Sequence, residues 1–235
     1  MPDPPLLRVS GLEVFYGDFQ ALYGVDIEAS RRQTIAIIGA NGAGKSTLLN
    51  AIVGLNPARR SAISFDGADI GSEPPHLIVR RGLTIVPEGR RLFASLSVEE
   101  NLLIGAEVKR PGEWTLSKVY QIFPDLRERR NLPSRSLSGG QQQMVAIGRA
   151  LMSNPSLLLC DELSLGLAPI VVKDIYRYIK TIVANGVAAI IVEQDIQQAL
   201  KIADYVYCML EGRIALHGPA RSLSREAIAA AYFGV

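Results

Sequence analysis

Two residue types that often build functional sites are scarce in this chain. Its 235 residues include only two cysteines and two histidines. Cys160 and Cys208 lie far apart in apolar segments, so we expect small buried thiols and no disulfide framework. His76 stands in a helix-start context, and His217 follows a predicted hairpin. Because no cluster of histidine and cysteine with metal-ligand spacing occurs, zinc and thiol chemistry are poor candidates.

The chain also lacks a strong charge of one sign and a long apolar run. Its formal net charge is +2, and its arginine clusters are scattered among acidic residues. A nucleic-acid groove needs a more concentrated basic stripe, so no nucleic-acid partner is expected. No apolar run approaches the roughly 20 residues that span a bilayer. The start, MPDPPLLRVS, lacks the pattern of a secretory signal, so we expect a soluble chain that reaches a membrane only through a partner.

Hydrophobic patterning predicts an α/β fold. The near-alternating segments LLRVSGLEVFYG and ALYGVDIEA come first and indicate an antiparallel β portion. Apolar runs typical of strands buried on both faces of a parallel sheet follow in QTIAIIGA, LTIVP, LLLCD and VAAIIVE. A helix-rich stretch at about 95–153 lies between LTIVP and LLLCD. We expect one domain over 1–235, with this helical subdomain inserted into the α/β core.

Two pairs ending in glycine predict β-hairpins between alternating apolar residues. Asp66-Gly67 lies within SAISFDGADI, and Glu211-Gly212 lies within YVYCMLEGRIALHG. STLLNAIVG has helical spacing, and REAIAAAYF predicts a closing helix. The chain shows no internal repeat and no linker to a second domain.

A glycine-rich loop between a buried strand and a helix is the strongest motif in the chain. Residues 39–47, GANGAGKST, match the pattern G-x-x-x-x-G-K-[ST]. Backbone N–H groups of such a loop surround phosphate oxygens, and the helix that follows adds its positive end. Lys45 supplies a charge for the β- and γ-phosphates, and Ser46 supplies a hydroxyl for Mg²⁺. The residues predicted to bind nucleotide here are Gly39, Ala40, Asn41, Gly42, Ala43, Gly44, Lys45, Ser46 and Thr47.

Two other predicted strands end in polar residues that a phosphate site can use. LLLCDE ends in Asp161 and Glu162, and a parallel sheet gathers such strand ends at one edge. Asp161 can complete the Mg²⁺ shell, and Glu162 can polarise the attacking water. An apolar run followed by Asp-Glu is weak evidence alone, but it is the expected partner of a phosphate loop. IIVEQD ends in Glu193, Gln194 and Asp195, which fit a metal site, an acid/base pair or an ordinary strand end.

The segment LSGGQQQ, residues 137–143, runs directly into an apolar helix and precedes LLLCDE by the length of that helix. In this order, phosphate loop, LSGGQ and Asp-Glu strand resemble the ATP-binding cassette (ABC) ATPases over essentially the whole chain. The resemblance implies a P-loop NTPase core of ABC type that hydrolyses ATP with Mg²⁺. It also implies a second ABC ATPase subunit, because the signature residues contact the γ-phosphate across a dimer interface. These residues are Ser138, Gly139, Gly140 and Gln141.

The resemblance assigns roles to further positions. Tyr16, in VFYGD, matches the aromatic residue that stacks on adenine, and a buried strand tyrosine is the alternative. Glu162 matches the catalytic carboxylate, and residues 164–168 match the loop that crosses to the partner subunit. Gln194 stands where the family usually has histidine, and we predict a γ-phosphate sensor because an amide does not shuttle protons as imidazole does. The two carboxylates beside Gln194 are then interpreted as flanking polar residues.

Departures from the wider family indicate one of its branches. Glu88, in VPEGRRLF, stands where glutamine is usual and is a candidate for both the catalytic and the metal site. Leu163 replaces a usual proline, and Ala168 replaces a usual aspartate. PEGRR, SLGLAP and VEQ together resemble the F-type ATPase subunits of importers for branched-chain amino acids, amides and urea.

This branch implies an assembly at the cytoplasmic face of the inner membrane. The expected partners are a second ATPase subunit, identical or different, two membrane-spanning permease subunits and, indirectly, a periplasmic binding protein. Branched-chain amino acids are the preferred cargo, and urea or amides are the alternative. An exporter or lipid-transport cassette is a nearer rival than a non-transport ATPase acting on ribosomes or DNA.

Overall fold

Two β-sheets and the helices around them form the computed structural model, which describes residues 4–56 and 62–233. The strands in these ranges are β1 Leu7–Tyr16, β2 Phe19–Ala29, β3 Thr34–Ile38, β4 Ile63–Phe65, β5 Ala68–Asp69, β6 Leu83–Val86, β7 Leu157–Asp161, β8 Ala188–Glu193, β9 Tyr205–Leu210 and β10 Arg213–Pro219. The α-helices are α1 Lys45–Ile52, α2 Pro75–Arg81, α3 Val98–Ala106, α4 Leu116–Ile122, α5 Pro124–Glu128, α6 Gly139–Leu151, α7 Pro169–Ala184, α8 Ile196–Ile202 and α9 Arg225–Phe233. A 3-10 turn spans Ser134–Ser136.

The predicted antiparallel portion is a four-stranded sheet in the order β2-β1-β4-β5. β1 buries alternate residues against the core, and its register shifts where Gly11 interrupts that alternation. The β4–β5 hairpin turns at Asp66-Gly67, whose φ angles of +49° and +78° are the left-handed values that a tight hairpin requires. Both the antiparallel portion and this hairpin are confirmed.

The second sheet has six strands in the order β10-β9-β3-β8-β7-β6. Every residue of β3, β7 and β8 is buried, as the continuous apolar runs predict. YVYCMLEGRIALHG forms the predicted hairpin of β9 and β10. The prediction was incomplete, because β9 also pairs in parallel with β3. A hairpin pattern identifies its two strands and carries no information about a third strand that pairs with one of them.

Strand alternation gives this sheet two differently covered faces. In β8, Ile190 and Val192 pack with α1 and the antiparallel sheet, whereas Ala189 and Ile191 pack with α3 to α7. The helices α3 to α6 lie between β6 and β7, so the inserted helical subdomain is confirmed. Its limits at about 95–153 and the single-domain organisation over 1–235 stay predictions.

The parallel topology positions the candidate site. The chain leaves β3, β6, β7 and β8 at the same edge of the sheet, because these strands run in the same direction. Cys160 and Cys208 are free and buried in the sheet, as expected. Among the described helices, none has both the length and the apolar character needed to cross a membrane.

Candidate functional site

A cavity of about 740 Å³ lies at the edge where these strands end. Six segments line it, namely the β1–β2 turn with the start of β2, the phosphate loop with the start of α1, Glu88 after β6, the loop after β7, the residue after β8 and the β9–β10 turn. The lining residues among the sequence predictions are Tyr16, Asn41, Gly42, Gly44, Lys45, Ser46, Thr47, Glu88, Glu162 and Gln194. Motifs that are far apart in the sequence therefore line the same cavity.

The phosphate loop depends on glycine at two kinds of position. Gly42 and Gly44 have φ angles of +82° and +97°, in the left-handed region that side chains disfavour. Gly39 has an ordinary φ, but a Cβ atom there would lie 2.4 Å from the carbonyl oxygen of Met209. The loop's shape therefore follows from backbone freedom and from close packing against β9.

Lys45 is 4% exposed and spans the base of this loop. Its Nζ donates to the carbonyl oxygens of Gly39 at 2.8 Å and Ala40 at 2.9 Å, and it lies 4.0 Å from Oε1 of Glu162. Burial lowers the pKa of Lys45, while the carboxylates of Glu162 and Asp161 oppose that shift. The ammonium group is thus oriented in the cleft by protein oxygens.

Ser46 and Asp161 form an oxygen pair suited to a hard cation. The Ser46 hydroxyl donates to Oδ1 of Asp161 at 3.2 Å. Burial raises the pKa of Asp161, and the nearby charges of Glu162 and Glu88 raise it further. No cluster of three or more potential metal-binding side chains exists in the described part of the chain. One carboxylate and one hydroxyl fit Mg²⁺, which takes few protein ligands and completes its shell with phosphate oxygens and water.

Glu162 and Gln194 face the same cleft and contact each other. Nε2 of Gln194 donates to Oε1 of Glu162 at 2.8 Å. Glu162 has φ +48°, a left-handed value that is unusual for a residue with a side chain, and its N–H donates to the carbonyl of Val192. The sequence indicated both residues separately, whereas the structure pairs the amide with the carboxylate.

The aromatic residue predicted to stack on a base lies at the mouth of the cavity. Tyr16 is 49% exposed, which excludes the alternative of a buried strand tyrosine. Its hydroxyl accepts a hydrogen bond from Asn56 at 2.7 Å and donates to Thr47 at 3.4 Å. Phe19, 67% exposed on the same turn, also lines the cavity and was missed in the sequence. The available sequence signal was a second aromatic residue three positions after Tyr16.

The residues of LSGGQ begin α6 and do not line the cavity. Ser138 caps the helix, since its hydroxyl accepts from the N–H of Gln141 and the Gln141 side chain accepts from the N–H of Ser138. Gly140 packs so closely that a Cβ atom would lie 2.4 Å from Val171. The structure therefore holds this turn rigidly at a helix N-terminus while keeping it apart from the phosphate loop of its own chain.

Comparison with known proteins decides the family. The model of the ABC transporter family matches residues 22–164, more than half of the chain. The chain belongs to the ABC transporter family. As an ABC cassette it is an ATP-binding ATPase.

Relatives and solved structures resemble the cassette over nearly its whole length. The high-affinity branched-chain amino acid transport ATP-binding protein BraG of Pseudomonas aeruginosa is 42% identical, over 97% of this chain and 100% of that protein. The Probable branched-chain amino acid transport ATP-binding protein LivF of Archaeoglobus fulgidus is 34% identical over 93% and 94%. The crystal structure of the ADP conformation of MJ1267, an ATP-binding cassette of an ABC transporter, is similar with a TM-score of 0.85 at 30% identity. It covers 99% of this chain and 100% of that one.

One interpretation of the strand end IIVEQD is wrong for this cassette. Glu193 is no flanking polar residue, because it is 1% exposed and accepts hydrogen bonds from the hydroxyls of Ser164 and Tyr176. Burial raises the pKa of Glu193, and those hydrogen bonds oppose the shift. Asp195 caps α8 by accepting from the N–H groups of Gln197 and Gln198.

The sequence predicts the β9–β10 turn as a hairpin, but no motif indicates that this turn lies at the functional site. Gly212 donates its N–H to the carbonyl of Ala43 in the phosphate loop at 3.0 Å, and its own carbonyl accepts from Tyr23 at 3.0 Å. Glu211 and Gly212 also line the cavity of the cassette. His217 lies in β10 beside Tyr205, not after the hairpin, and neither histidine lines the cavity.

Proposed function

We propose that this cassette is the ATP-hydrolysing subunit of a membrane importer for branched-chain amino acids. The convergence of Lys45, Glu162 and Gln194 on one cleft carries the hydrolytic part of the proposal. The names of BraG and LivF, which align over more than nine-tenths of the chain, support the cargo.

In this proposal, ATP binds with its phosphates on residues 39–47 and its adenine against the exposed ring of Tyr16. The N–H groups of the loop, the start of α1 and the ammonium of Lys45 all present positive charge to the phosphates. Ser46 and Asp161 would hold Mg²⁺, with Glu88 near enough to influence Asp161 electrostatically. Bound Mg²⁺ would neutralise charge on the β- and γ-phosphates.

Glu162 orients or deprotonates the attacking water, because its carboxylate lies at the strand end beside Lys45. Gln194 acts from the neighbouring strand end. Its amide donates to Glu162 and has a second N–H available for the γ-phosphate, so it links the state of the nucleotide to the orientation of the carboxylate. Glu162 and Gln194 are thus assigned as the catalytic pair, and Glu88 as an accessory acidic residue.

A second ATPase subunit completes the site. Ser138, Gly139, Gly140 and Gln141 stand at the N-terminus of α6, where N–H groups and the helix dipole favour an anion, yet they lie outside this chain's own cavity. They are therefore assigned to the γ-phosphate held by the partner subunit. Residues 164–168 cross to that subunit.

Contacts between α6 and the segment after Glu88 offer a route by which the cassette could act on membrane partners. Arg149 donates to the carbonyls of Arg90 and Arg91, and Arg90 contacts Gln142 and Gln143 of α6. If α6 moves when the two ATPase subunits close on ATP, these contacts would move the segment after Glu88 with it. Two permease subunits at the cytoplasmic face of the inner membrane, served by a periplasmic binding protein, would receive this movement.

The substitution Glu162→Gln tests the hydrolytic assignment. ATP binding should stay near wild type, while phosphate release should fall by roughly a hundredfold or more, as expected for loss of a general base. Glu226→Gln, an exposed glutamate of α9, is the matched control and should retain full turnover. Unchanged phosphate release in Glu162→Gln would remove Glu162 from this role.

The cargo is tested in proteoliposomes that contain the cassette with its copurified membrane and binding-protein partners. Leucine, isoleucine or valine should stimulate ATP hydrolysis and accumulate inside. Stimulation by urea or a short amide, with none by hydrophobic amino acids, would replace the proposed cargo and leave the ATPase assignment intact.

A further inference from the structure

Glu193 carries a buried carboxylate to which the proposed ATPase mechanism assigns no role. Each carboxylate oxygen accepts one hydrogen bond. Oε2 accepts from the Ser164 hydroxyl at 2.7 Å, and Oε1 accepts from the Tyr176 hydroxyl. Ser164 stands two residues after Glu162, and Tyr176 lies on α7 at 6% exposure. A buried carboxylate is costly unless hydrogen bonds satisfy it, and both of these donors come from the chain that follows β7.

Alternation along β8 explains why Glu193 and Gln194 contact this chain from different sides. Glu193 shares the face of Ala189 and Ile191, which α7 covers, so it meets Tyr176. Gln194, one residue later, lies on the cavity side and meets Glu162. Two consecutive residues at one strand end thus contact positions 162 and 164 of one loop from opposite sides.

The loop needs such contacts because its backbone is unusual. Glu162 has φ +48°, and residues with side chains persist in this region only when their surroundings hold them there. Leu163 stands in the next position, where a proline would restrict the backbone. Ser164 comes directly after Leu163, and its hydrogen bond to Glu193 holds the backbone on the C-terminal side of Glu162.

We propose that Glu193 is a positioning residue for hydrolysis, which fixes Glu162 and the start of the crossing loop by holding Ser164 and Tyr176. This inference rests on the proposed ATPase function of the site. It assigns Glu193 no contact with nucleotide or water, and its effect reaches the reaction through the backbone of 162–164. The same contacts set the direction in which residues 164–168 leave the cassette toward the partner subunit.

Three substitutions each remove one hydrogen-bonding group from the contact. Glu193→Gln replaces one acceptor oxygen with a donor NH₂ group, and Ser164→Ala and Tyr176→Phe each remove a donor hydroxyl. In the full chain with its partner subunit, we expect kcat for ATP to fall roughly tenfold, as for a displaced catalytic group. The KM and the equilibrium Kd for ATP should stay within about twofold of wild type, because the phosphate loop is untouched. Ser164→Thr keeps the hydroxyl and should recover most of the turnover, and Ser222→Ala in an exposed turn is the matched control.

Hydrogen exchange gives a readout that does not depend on activity. Peptides covering 162–168 should exchange faster in the three variants, whereas peptides covering 39–47 should match wild type. A general loss of stability would accelerate both segments, so this pattern separates positioning from misfolding.

The outcomes also separate this inference from the proposed function. Wild-type kcat and wild-type exchange in all three variants would overturn the role of Glu193, as would losses of kcat and of ATP affinity in equal measure. A wild-type chain without ATPase activity would instead overturn the proposed function, and exchange at 162–168 would still decide whether Glu193 holds the loop.

Discussion

Two hairpin turns of nearly identical geometry allow the contact between the β9–β10 turn and the phosphate loop to be tested. Asp66-Gly67 has φ angles of +49° and +78°, and Glu211-Gly212 has +47° and +74°. A Cβ atom on Gly67 would meet nothing within 4 Å, whereas one on Gly212 would lie 2.3 Å from the carbonyl oxygen of Ala21. Alanine at the two positions therefore imposes the same backbone strain but different packing.

The expected magnitudes differ accordingly. Gly67→Ala should lower the free energy of unfolding by about 1–2 kcal/mol, the cost of a left-handed residue with a side chain. Gly212→Ala carries that cost plus about 1–3 kcal/mol for overpacking against backbone. If the turn moves away instead, it loses the hydrogen bonds to Ala43 and Tyr23, at about 1 kcal/mol each. The difference between the variants should thus be about 1–3 kcal/mol.

Urea unfolding and equilibrium ATP binding measure the two consequences. Gly212→Ala should have the lower unfolding midpoint, and it should bind ATP about fivefold more weakly, since the phosphate loop loses one backbone hydrogen bond. Gly67→Ala should bind ATP as wild type does, because its turn lies outside the cavity. Equal midpoints and equal affinities in the two variants would refute a supporting role for the β9–β10 turn.

Two further predictions concern Asp161 and Tyr16. Burial raises the pKa of Asp161 in the folded chain above its pKa in the unfolded chain. The folded state is therefore favoured fully below the unfolded-state pKa of Asp161, and this stability is lost as pH rises through the folded-state pKa. Asp161→Asn should therefore unfold at higher urea than wild type at pH 8, with the gap narrowing as pH falls; a gap independent of pH would contradict this. Tyr16→Ala should weaken ATP binding roughly 5- to 150-fold, as stacking contributes about 1–3 kcal/mol per base, whereas Tyr16→Phe keeps the ring and most of the affinity. Equal affinities of the Ala and Phe variants would place the adenine elsewhere.

The structure combines residues that the motifs identified one at a time. GANGAGKST predicts its own loop, because glycine, lysine and hydroxyl positions within nine residues define the chemistry locally. The end of LLLCDE predicts Asp161 beside that loop, because parallel strands share an edge. Glu193 was misread for the opposite reason, since a carboxylate at a strand end has no local mark of burial. Its state depends on Tyr176 and Ser164, 17 and 29 residues away.

Features that depend on near neighbours in the chain are predictable from the amino-acid sequence. These are the buried strands, the phosphate loop, the helix after LSGGQ and the two hairpin turns, all of which follow from periodicity and backbone preference within short segments. Contacts between distant segments are visible only in the folded chain. They include the pairing of β9 with β3, the Gln194–Glu162 contact and the hydrogen bond from Gly212 to Ala43. The physical reason is that alternation specifies which face of a strand is apolar, whereas the packing of distant elements selects what covers it.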